Sequence, residues 1–231
     1  MTLKAVIFDL DDTLYNERDF VKSGFKVVSE YLYTISGLRI SKISIYRKLL
    51  DLHEEYGRGK VFDRILEILN LDRNLYLQTL IYLYRNHIPS RLRLNNTTKN
   101  LLTSLNEFKL GIITDGVYVT QRNKTDVLLK DFNLSCIIHT DSLGQQYWKP
   151  SQEPFQVACN LLKVIPSEAV YVGDNPIKDF KGARSIGMRT ICWNPNELNH
   201  NYYDDFFKPD FQVKNCEELR ETLIKMKKNE N

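Results

Sequence analysis

The stretch Lys4-Ala5-Val6-Ile7-Phe8-Asp9-Leu10-Asp11-Asp12-Thr13 joins a short apolar run to a cluster of acids. Its β-branched and aromatic residues predict a buried strand that ends at Phe8. Ligands of open α/β sheets bind at the carboxyl ends of strands, and Asp9 and Asp11 lie just past this one. Neighbouring carboxylates suit a hard cation such as Mg²⁺, and one carboxylate can attack phosphorus. A solvated strand-to-loop turn, where aspartate is common, is the alternative interpretation.

Similar runs predict four more strands, which alternate with helical patterns, at residues 110–114, 135–139, 169–173 and 188–193. This alternation predicts an α/β fold with a Rossmann-like parallel sheet core and helices on both faces. The pattern also predicts a short late strand at residues 210–213. Asn215, with Glu218 three residues later, then has the pattern of an N-cap that opens a final helix.

The gap between the first two strands is too long and too helical for a single crossover connection. Apolar residues at helical spacing fill it in four stripes, at residues 20–35, 43–52, 61–69 and 75–84. The sequence therefore predicts an inserted all-helical domain at residues 16–92. Residues 1–15 and 93–231 form the predicted core domain.

Charge and cysteine usage narrow the class of protein. The formal net charge is only +3, which argues against nucleic acid or an anionic membrane as a partner. The four cysteines are scattered without a Cys-x-x-Cys pair, so reduced thiols and a cytoplasmic location are expected. No apolar stretch approaches the length of a membrane span. A small molecule is the expected partner, and the oligomeric state is not readable.

Three further motifs follow predicted strands or precede helices. The turn Thr114-Asp115-Gly116 offers a hydroxyl and main-chain N–H groups to a phosphate, although such turns are common. Lys149 precedes Pro150 and could offset phosphate charge, although a lone lysine is usually a surface residue. Asp174 and Asp179 lie about one helical turn apart and could face one metal, or could form an ordinary helix cap and a surface acid.

Taken together, these motifs resemble those of the haloacid dehalogenase-like (HAD) hydrolase superfamily. The matching runs are Asp9-Leu10-Asp11-Asp12-Thr13, Thr114-Asp115-Gly116, Lys149-Pro150 and Gly173-Asp174 with Asp179. The resemblance covers nearly the whole chain, and residues 16–92 resemble the family's helical C1 cap. It implies a Mg²⁺-dependent phosphate-ester hydrolase of the phosphatase branch.

The resemblance also implies a role for each motif residue. Asp9 would be the nucleophile and a Mg²⁺ ligand. Asp11 would be the general acid/base, with a raised pKa caused by neighbouring anions, and would offer its main-chain carbonyl to the metal. Thr114 would bind the phosphoryl group and Lys149 would steady the nucleophile. The remaining roles are a Mg²⁺ ligand (Asp174), support of the site (Asn175, Asp179) and main-chain N–H groups that hold phosphate (Leu10, Asp115).

The expected reaction passes through an aspartyl-phosphate, and the substrate is expected to be a nucleoside monophosphate or a sugar phosphate. A dehalogenase of the same family would not need an acid/base at Asp11, so that residue argues against it. A phosphomutase would keep all these residues and remains an alternative. A non-catalytic binding protein on this fold would be free to lose Asp9, Lys149 or Asp174, yet all three are present.

One candidate specificity residue lies in the inserted domain. Residues 53–60 separate two helical patterns, and glycines on both sides of Arg58 predict a flexible loop. Arg58 carries a planar fork of donors that suits a substrate carboxylate, hydroxyls or a second phosphate. An ordinary solvated loop is the alternative interpretation.

Overall fold

The computed structural model describes residues 2–37, 40–193 and 207–228, and within them it contains one six-stranded parallel sheet. The strands are β1 (Ala5–Phe8), β2 (Lys109–Thr114), β3 (Cys136–His139), β4 (Ala169–Gly173), β5 (Arg189–Trp193) and β6 (Phe211–Val213). Their order across the sheet is β3-β2-β1-β4-β5-β6, and every neighbouring pair is parallel. The predicted α/β class with a Rossmann-like parallel sheet is confirmed.

Helices connect these strands or form the insertion. They are α1 (Glu17–Ile35), α2 (Lys42–Tyr56), α3 (Val61–Ile68), α4 (Arg73–Asn86), α5 (Asn96–Ser104), α6 (Tyr118–Leu128), α7 (Glu153–Leu162), α8 (Pro176–Ser185) and α9 (Cys216–Lys228). The predicted cap of the last helix is present, because the Glu218 N–H donates to Asn215 Oδ1 at 2.9 Å.

Strand β1 occupies the middle of the sheet, between β2 and β4. Every residue of β1 and of β4 is buried, as expected for parallel strands covered on both faces. In the register of the sheet, Phe8 lies opposite both Ile112 and Val172. The carboxyl ends of β1, β2 and β4 are therefore side by side, and the residues that follow them share one edge.

The chain divides into two compact units, one of residues 1–16 with 93–231 and one of residues 17–92. The second unit contains α1 to α4 around an apolar core of its own, to which Phe25, Leu32, Leu49 and Leu80 belong. Its role as a cap over a substrate remains a prediction. In the part of the chain that the structure describes, no helix combines the length and apolar character that a bilayer crossing requires.

The predicted loop at residues 53–60 is partly wrong. Helix α2 continues to Tyr56, and the Gly57 N–H donates to the His53 carbonyl oxygen at 2.9 Å. The helix ends at Gly57 because that residue has a positive φ of 63°, which favours glycine. The loop proper is short, from Gly57 to Lys60, and it contains Arg58.

Helix α8 packs closely against the segment before α7 at Gly182. An added Cβ at Gly182 would lie 2.6 Å from the carbonyl oxygens of Pro150 and Ser151 and 2.7 Å from Phe155. Helix propensity alone would favour alanine at this position by roughly 0.5–1 kcal/mol. We expect overpacking to dominate, so that Gly182→Ala lowers the free energy of unfolding by about 1–3 kcal/mol.

Urea unfolding of the wild type and the variant measures this difference. Gly59→Ala is the control, because the nearest atom to its added Cβ lies 3.9 Å away. A Gly182→Ala protein that is more stable than the wild type would show that helix propensity outweighs the contact.

Candidate active site

Four of the predicted motif residues meet where β1, β2 and β4 end. The Asp9 N–H donates to the Val172 carbonyl oxygen at 2.9 Å, so the pairing with β4 continues one residue past β1. This bond places the Asp9 side chain at the shared edge, beside Thr114 at the end of β2 and Asp174 just past β4. Lys149 reaches the same edge from the segment before α7.

The Lys149 ammonium group is the centre of a buried polar cluster. Its Nζ donates to Asp9 Oδ1 at 2.5 Å, to Asp179 Oδ1 at 2.8 Å and to the Tyr171 hydroxyl at 3.0 Å. The Lys149 side chain is 3% exposed and that of Asp179 is 1% exposed. Charged groups this far from water need such partners, so the cluster fixes the position of Lys149.

Asp179 can approach Lys149 only because residue 173 is a glycine. An added Cβ at Gly173 would lie 2.3 Å from Asp179 Oδ2, far inside van der Waals contact. The same oxygen accepts a 2.9 Å hydrogen bond from the Asn175 N–H at the start of α8. Asp179 therefore supports Lys149 and the turn after β4. Asn175 itself caps α8, since its Oδ1 accepts from the Ile177 N–H at 3.2 Å.

The carboxylates of Asp9 and Asp174 share one hydroxyl donor. Thr13 Oγ1 lies 3.4 Å from Asp9 Oδ2 and 3.1 Å from Asp174 Oδ1. Within residues 2–37, 40–193 and 207–228, no three carboxylate, imidazole or thiolate groups are arranged as a complete metal-ligand set. The carboxylates of Asp9 and Asp174 offer only oxygen donors, and Mg²⁺ usually completes such a set with water or phosphate oxygens. The residues present fit Mg²⁺.

Burial and mutual repulsion perturb the acids of this cluster. Burial raises the pKa of Asp9 well above its usual range despite the attraction of Lys149, and neighbouring carboxylates add to the rise. Burial also raises the pKa of Asp174 to about 7, with a further contribution from Asp179. The pKa of Lys149 is raised in spite of burial, because the carboxylates of Asp179 and Asp9 favour its charge. The pKa values of the partners Asp9 and Lys149 therefore shift in the same direction for different reasons: burial is the largest cause for Asp9, and the surrounding carboxylates are the cause for Lys149.

Asp11 lies in a separate polar cluster with its own cation. Its Oδ1 accepts from the Tyr15 hydroxyl at 2.5 Å and from Lys124 Nζ at 2.8 Å. Its Oδ2 accepts from Gln121 Nε2 at 2.7 Å. The pKa of Asp11 is lowered although burial alone would raise it, because Lys124 and these hydrogen bonds favour the anion. The expectation of a raised pKa for Asp11 is therefore wrong: sequence reasoning included the nearby acids but not Lys124.

The turn after β2 is tied to both clusters. Gln121 Nε2 donates to Thr114 Oγ1 at 2.5 Å as well as to Asp11. The Asp115 side chain accepts from the Thr140 hydroxyl at 2.8 Å and from the Lys149 N–H at 3.2 Å. Asp115 therefore holds the segment that carries Lys149. The phosphate-binding roles of Thr114 and of the Leu10 and Asp115 N–H groups remain predictions.

Arg58 belongs to the helical unit, where it forms an ion pair with Glu17. The Arg58 side chain is 73% exposed, whereas that of Glu17 is 14% exposed. Sequence reasoning did not identify Glu17 as its partner. A role of Arg58 in substrate binding remains a prediction.

Sequence reasoning also missed Tyr15, Gln121, Lys124 and Tyr171. The buried face of α6 that holds Gln121 and Lys124 is mostly polar, so no apolar stripe in the sequence marked it as buried. Tyr171 also carried no signal, because an aromatic residue in a buried strand is ordinary.

Comparison with known proteins agrees with this geometry. A family model described as haloacid dehalogenase-like hydrolase matches residues 6–193. The chain is 31% identical to a glyceraldehyde 3-phosphate phosphatase of Pyrococcus furiosus, with 88% of each chain covered. It is 29% identical to a protein of the same name from Methanopyrus kandleri, with 98% of this chain and 99% of the relative covered.

Among solved structures, the fold is similar to that of a HAD phosphatase from Thermococcus onnurineus. The TM-score is 0.60 at 28% identity, with 96% of this chain and 98% of that chain covered. The family match covers most of the sheet and all of the strand-end motifs. The chain therefore belongs to the haloacid dehalogenase-like hydrolases, and within them to their phosphatase branch.

Proposed function

We propose that this phosphatase hydrolyses a small sugar phosphate through an aspartyl-phosphate formed on Asp9. The observation that carries the proposal is the contact between the buried Asp9 carboxylate and Lys149, with a second carboxylate, Asp11, two residues away in the chain. A buried carboxylate at the end of a central strand, beside a cation that can also meet phosphate oxygens, suits nucleophilic attack on phosphorus.

In the first step, an Asp9 oxygen attacks phosphorus as the bond from phosphorus to the ester oxygen breaks. Asp11 gives a proton to the departing alkoxide, which leaves as an alcohol. Its lowered pKa in the free protein means that Asp11 must take up this proton as the phosphate dianion binds and repels its charge. Lys149 offsets negative charge on the phosphoryl oxygens throughout the step.

In the second step, water attacks the phosphorus of the aspartyl-phosphate. Asp11 accepts a proton from that water, the bond from phosphorus to Asp9 breaks, and inorganic phosphate leaves. Thr114 Oγ1 and the main-chain N–H groups of Leu10 and Asp115 hold the phosphoryl oxygens in this proposal. Dehalogenation remains the less favoured alternative, because that reaction would not need an acid/base at Asp11.

Mg²⁺ is the proposed cofactor. The carboxylates of Asp9 and Asp174 and the main-chain carbonyl of Asp11 would hold it, with Asn175 and Asp179 in support. When bound, it would offset the repulsion between these carboxylates and the phosphate dianion. The all-oxygen donor set and the raised pKa of both carboxylates support this assignment, because the protein's own cations leave that charge uncompensated.

The relatives named glyceraldehyde 3-phosphate phosphatases favour a sugar phosphate over a nucleoside monophosphate as substrate. A cytoplasmic location is also proposed, and the four cysteines, which are all free thiols, are in keeping with a reducing compartment. No nucleic acid or membrane partner is proposed.

A substrate panel tests the proposal. Phosphate release from glyceraldehyde 3-phosphate and other short sugar phosphates is expected to exceed release from nucleoside monophosphates by about tenfold or more in kcat/KM. Asp9→Asn is expected to abolish turnover and to leave no phosphate on the chain in mass spectra, since the nucleophile is gone. Phosphate bound covalently to Asp9→Asn at wild-type levels, or conversion of the substrate to an isomer without phosphate release, would refute the proposed hydrolysis.

Lys149 and Tyr171 are expected to differ sharply in importance. Lys149→Met removes the only ammonium beside Asp9 in the part of the chain that the structure describes, and should lower kcat/KM for an aryl phosphate by about 10²–10³-fold. Tyr171→Phe keeps the ring against Phe155 and leaves Lys149 two carboxylate acceptors, so its loss should stay below about tenfold. Steady-state kinetics of the two variants measures both losses in kcat/KM. Equal losses would mean that the Tyr171 hydroxyl, and not the carboxylates, positions Lys149.

Mg²⁺ affinity is expected to fall as the pH falls. Without metal the pKa of Asp174 is about 7, so below that pH its carboxyl group is protonated and a proton must leave before metal binds. The apparent Kd for Mg²⁺ should rise by about fivefold between pH 7 and 6 if the one proton of Asp174 is displaced. Calorimetry in two buffers of different ionisation enthalpy measures both the Kd and the proton release. Asp174→Asn should bind Mg²⁺ more weakly and release fewer protons; pH-independent binding by the wild type would contradict the assignment.

Arg58 is expected to matter for a sugar phosphate but not for a small aryl phosphate. Arg58→Ala should lower kcat/KM for the best sugar phosphate by about tenfold or more, while leaving a small aryl phosphate nearly unchanged. Glu17→Gln is the matched control, because it breaks the same ion pair but leaves the arginine in place. Equal losses on both substrates would indicate a structural role, and no loss on either would place Arg58 outside the substrate site.

A further inference from the structure

Three donors converge on the carboxylate of Asp11. Both of its oxygens are engaged, Oδ1 by the Tyr15 hydroxyl at 2.5 Å and Lys124 Nζ at 2.8 Å, and Oδ2 by Gln121 Nε2 at 2.7 Å. A carboxylate held at both oxygens from different directions cannot rotate about its last torsion without losing a charge-assisted bond. We call Tyr15, Gln121 and Lys124 the Asp11 clamp.

Helix α6 supplies two members of the clamp and links them to the turn after β2. Gln121 and Lys124 lie three residues apart, so they occupy neighbouring positions on one face of the helix. The Gln121 N–H donates to the Val117 carbonyl oxygen at 3.1 Å, which ties this turn of the helix to the loop that follows Thr114. The Gln121 side chain also bonds Thr114 Oγ1, so one amide group spans Asp11 and Thr114.

The burial of Lys124 is costly, which makes its position informative. The Lys124 side chain is 2% exposed, and its Asp11 partner is 18% exposed. Removing an ammonium group from water carries a desolvation penalty. An apolar side chain of similar length would therefore commonly give a protein of equal or greater stability. Stability alone therefore does not explain the ion pair between Lys124 and Asp11, and positioning of the Asp11 carboxylate does.

We propose that Gln121 and Lys124 are positioning residues that hold the Asp11 carboxylate in line with the leaving-group oxygen and in fixed relation to Thr114. This inference rests on the proposed function, because it takes Asp11 as the group that protonates the leaving alkoxide. Neither residue touches the reacting atoms in this proposal. They act through Asp11, and Gln121 acts also through the Thr114 hydroxyl, which holds the phosphoryl oxygens.

Residues that position Asp11 should matter only for substrates that need its proton. Residues that merely support the fold should matter equally for all substrates. An alkoxide leaving group needs the proton from Asp11, whereas a strongly acidic phenol, such as a dinitrophenol, leaves as an anion without one. Misplacing Asp11 should therefore slow alkyl phosphate hydrolysis selectively. The ratio kcat/KM reports the steps up to phosphoryl transfer to Asp9, so later hydrolysis of the aspartyl-phosphate does not obscure the comparison.

The test compares Lys124→Met with the wild type on glycerol phosphate and dinitrophenyl phosphate. We expect kcat/KM for the alkyl ester to fall by about tenfold or more, and kcat/KM for the aryl ester to stay within about threefold. Asp11→Asn should show the same selectivity with a larger loss. The double variant Lys124→Met with Asp11→Asn should lose no more on the alkyl ester than Asp11→Asn alone, because Lys124 acts through Asp11.

Arg122→Met is the matched control on the same helix, since the Arg122 side chain is 59% exposed, and it should leave both substrates unchanged. If Lys124→Met does not fold, Gln121→Met decides the question with the same pair of substrates. It should slow both esters through Thr114, and it should slow the alkyl ester by about tenfold more than the aryl ester. Equal losses on the two esters, or no loss on either, would overturn the inference. A wild-type protein that hydrolyses neither ester would instead count against the proposed function.

Discussion

A single buried ammonium group organises this edge of the sheet. Lys149 reaches Asp9 and Asp179 at once; Asp9 directly follows β1, whereas Asp179 lies in α8, the helix that follows β4. The cluster forms only if the strands end in register and if Gly173 leaves room for Asp179. Burial makes these requirements strict. A misplaced charge in this interior would still carry the cost of desolvation but would lose the attraction of its partner.

A second ion pair divides the acids of the site into two groups with opposite properties. The pKa of Asp9 is raised and that of Asp11 is lowered, although the two residues are separated by only Leu10 in the chain. The difference arises from the cations: Lys149 is shared among several acids, whereas Lys124 faces Asp11 together with two neutral donors. In the proposed mechanism, the first group contains the nucleophile and the Mg²⁺ ligands, and Asp11 in the second group transfers protons.

Much of the fold was predictable because its elements are local. Each strand is a short apolar run, and its pattern depends on residues within a few positions of one another. The order of the strands was not predictable, since it depends on how the connecting helices pack against the sheet. The predicted loop at residues 53–60 failed in part because the glycine at position 57, and not the polar run before it, ends α2.

The sequence by itself determined the residues that follow the strands: Asp9, Thr114 and Asp174 stand at strand ends, and a parallel sheet must bring those ends together. Only the tertiary structure decided which cation each acid receives. The partners Lys124 and Asp11 are 113 residues apart, and Lys149 and Asp9 are 140 apart. Such pairings depend on the packing of a helix or loop against the sheet edge to within an ångström, and neither composition nor periodicity carries that information.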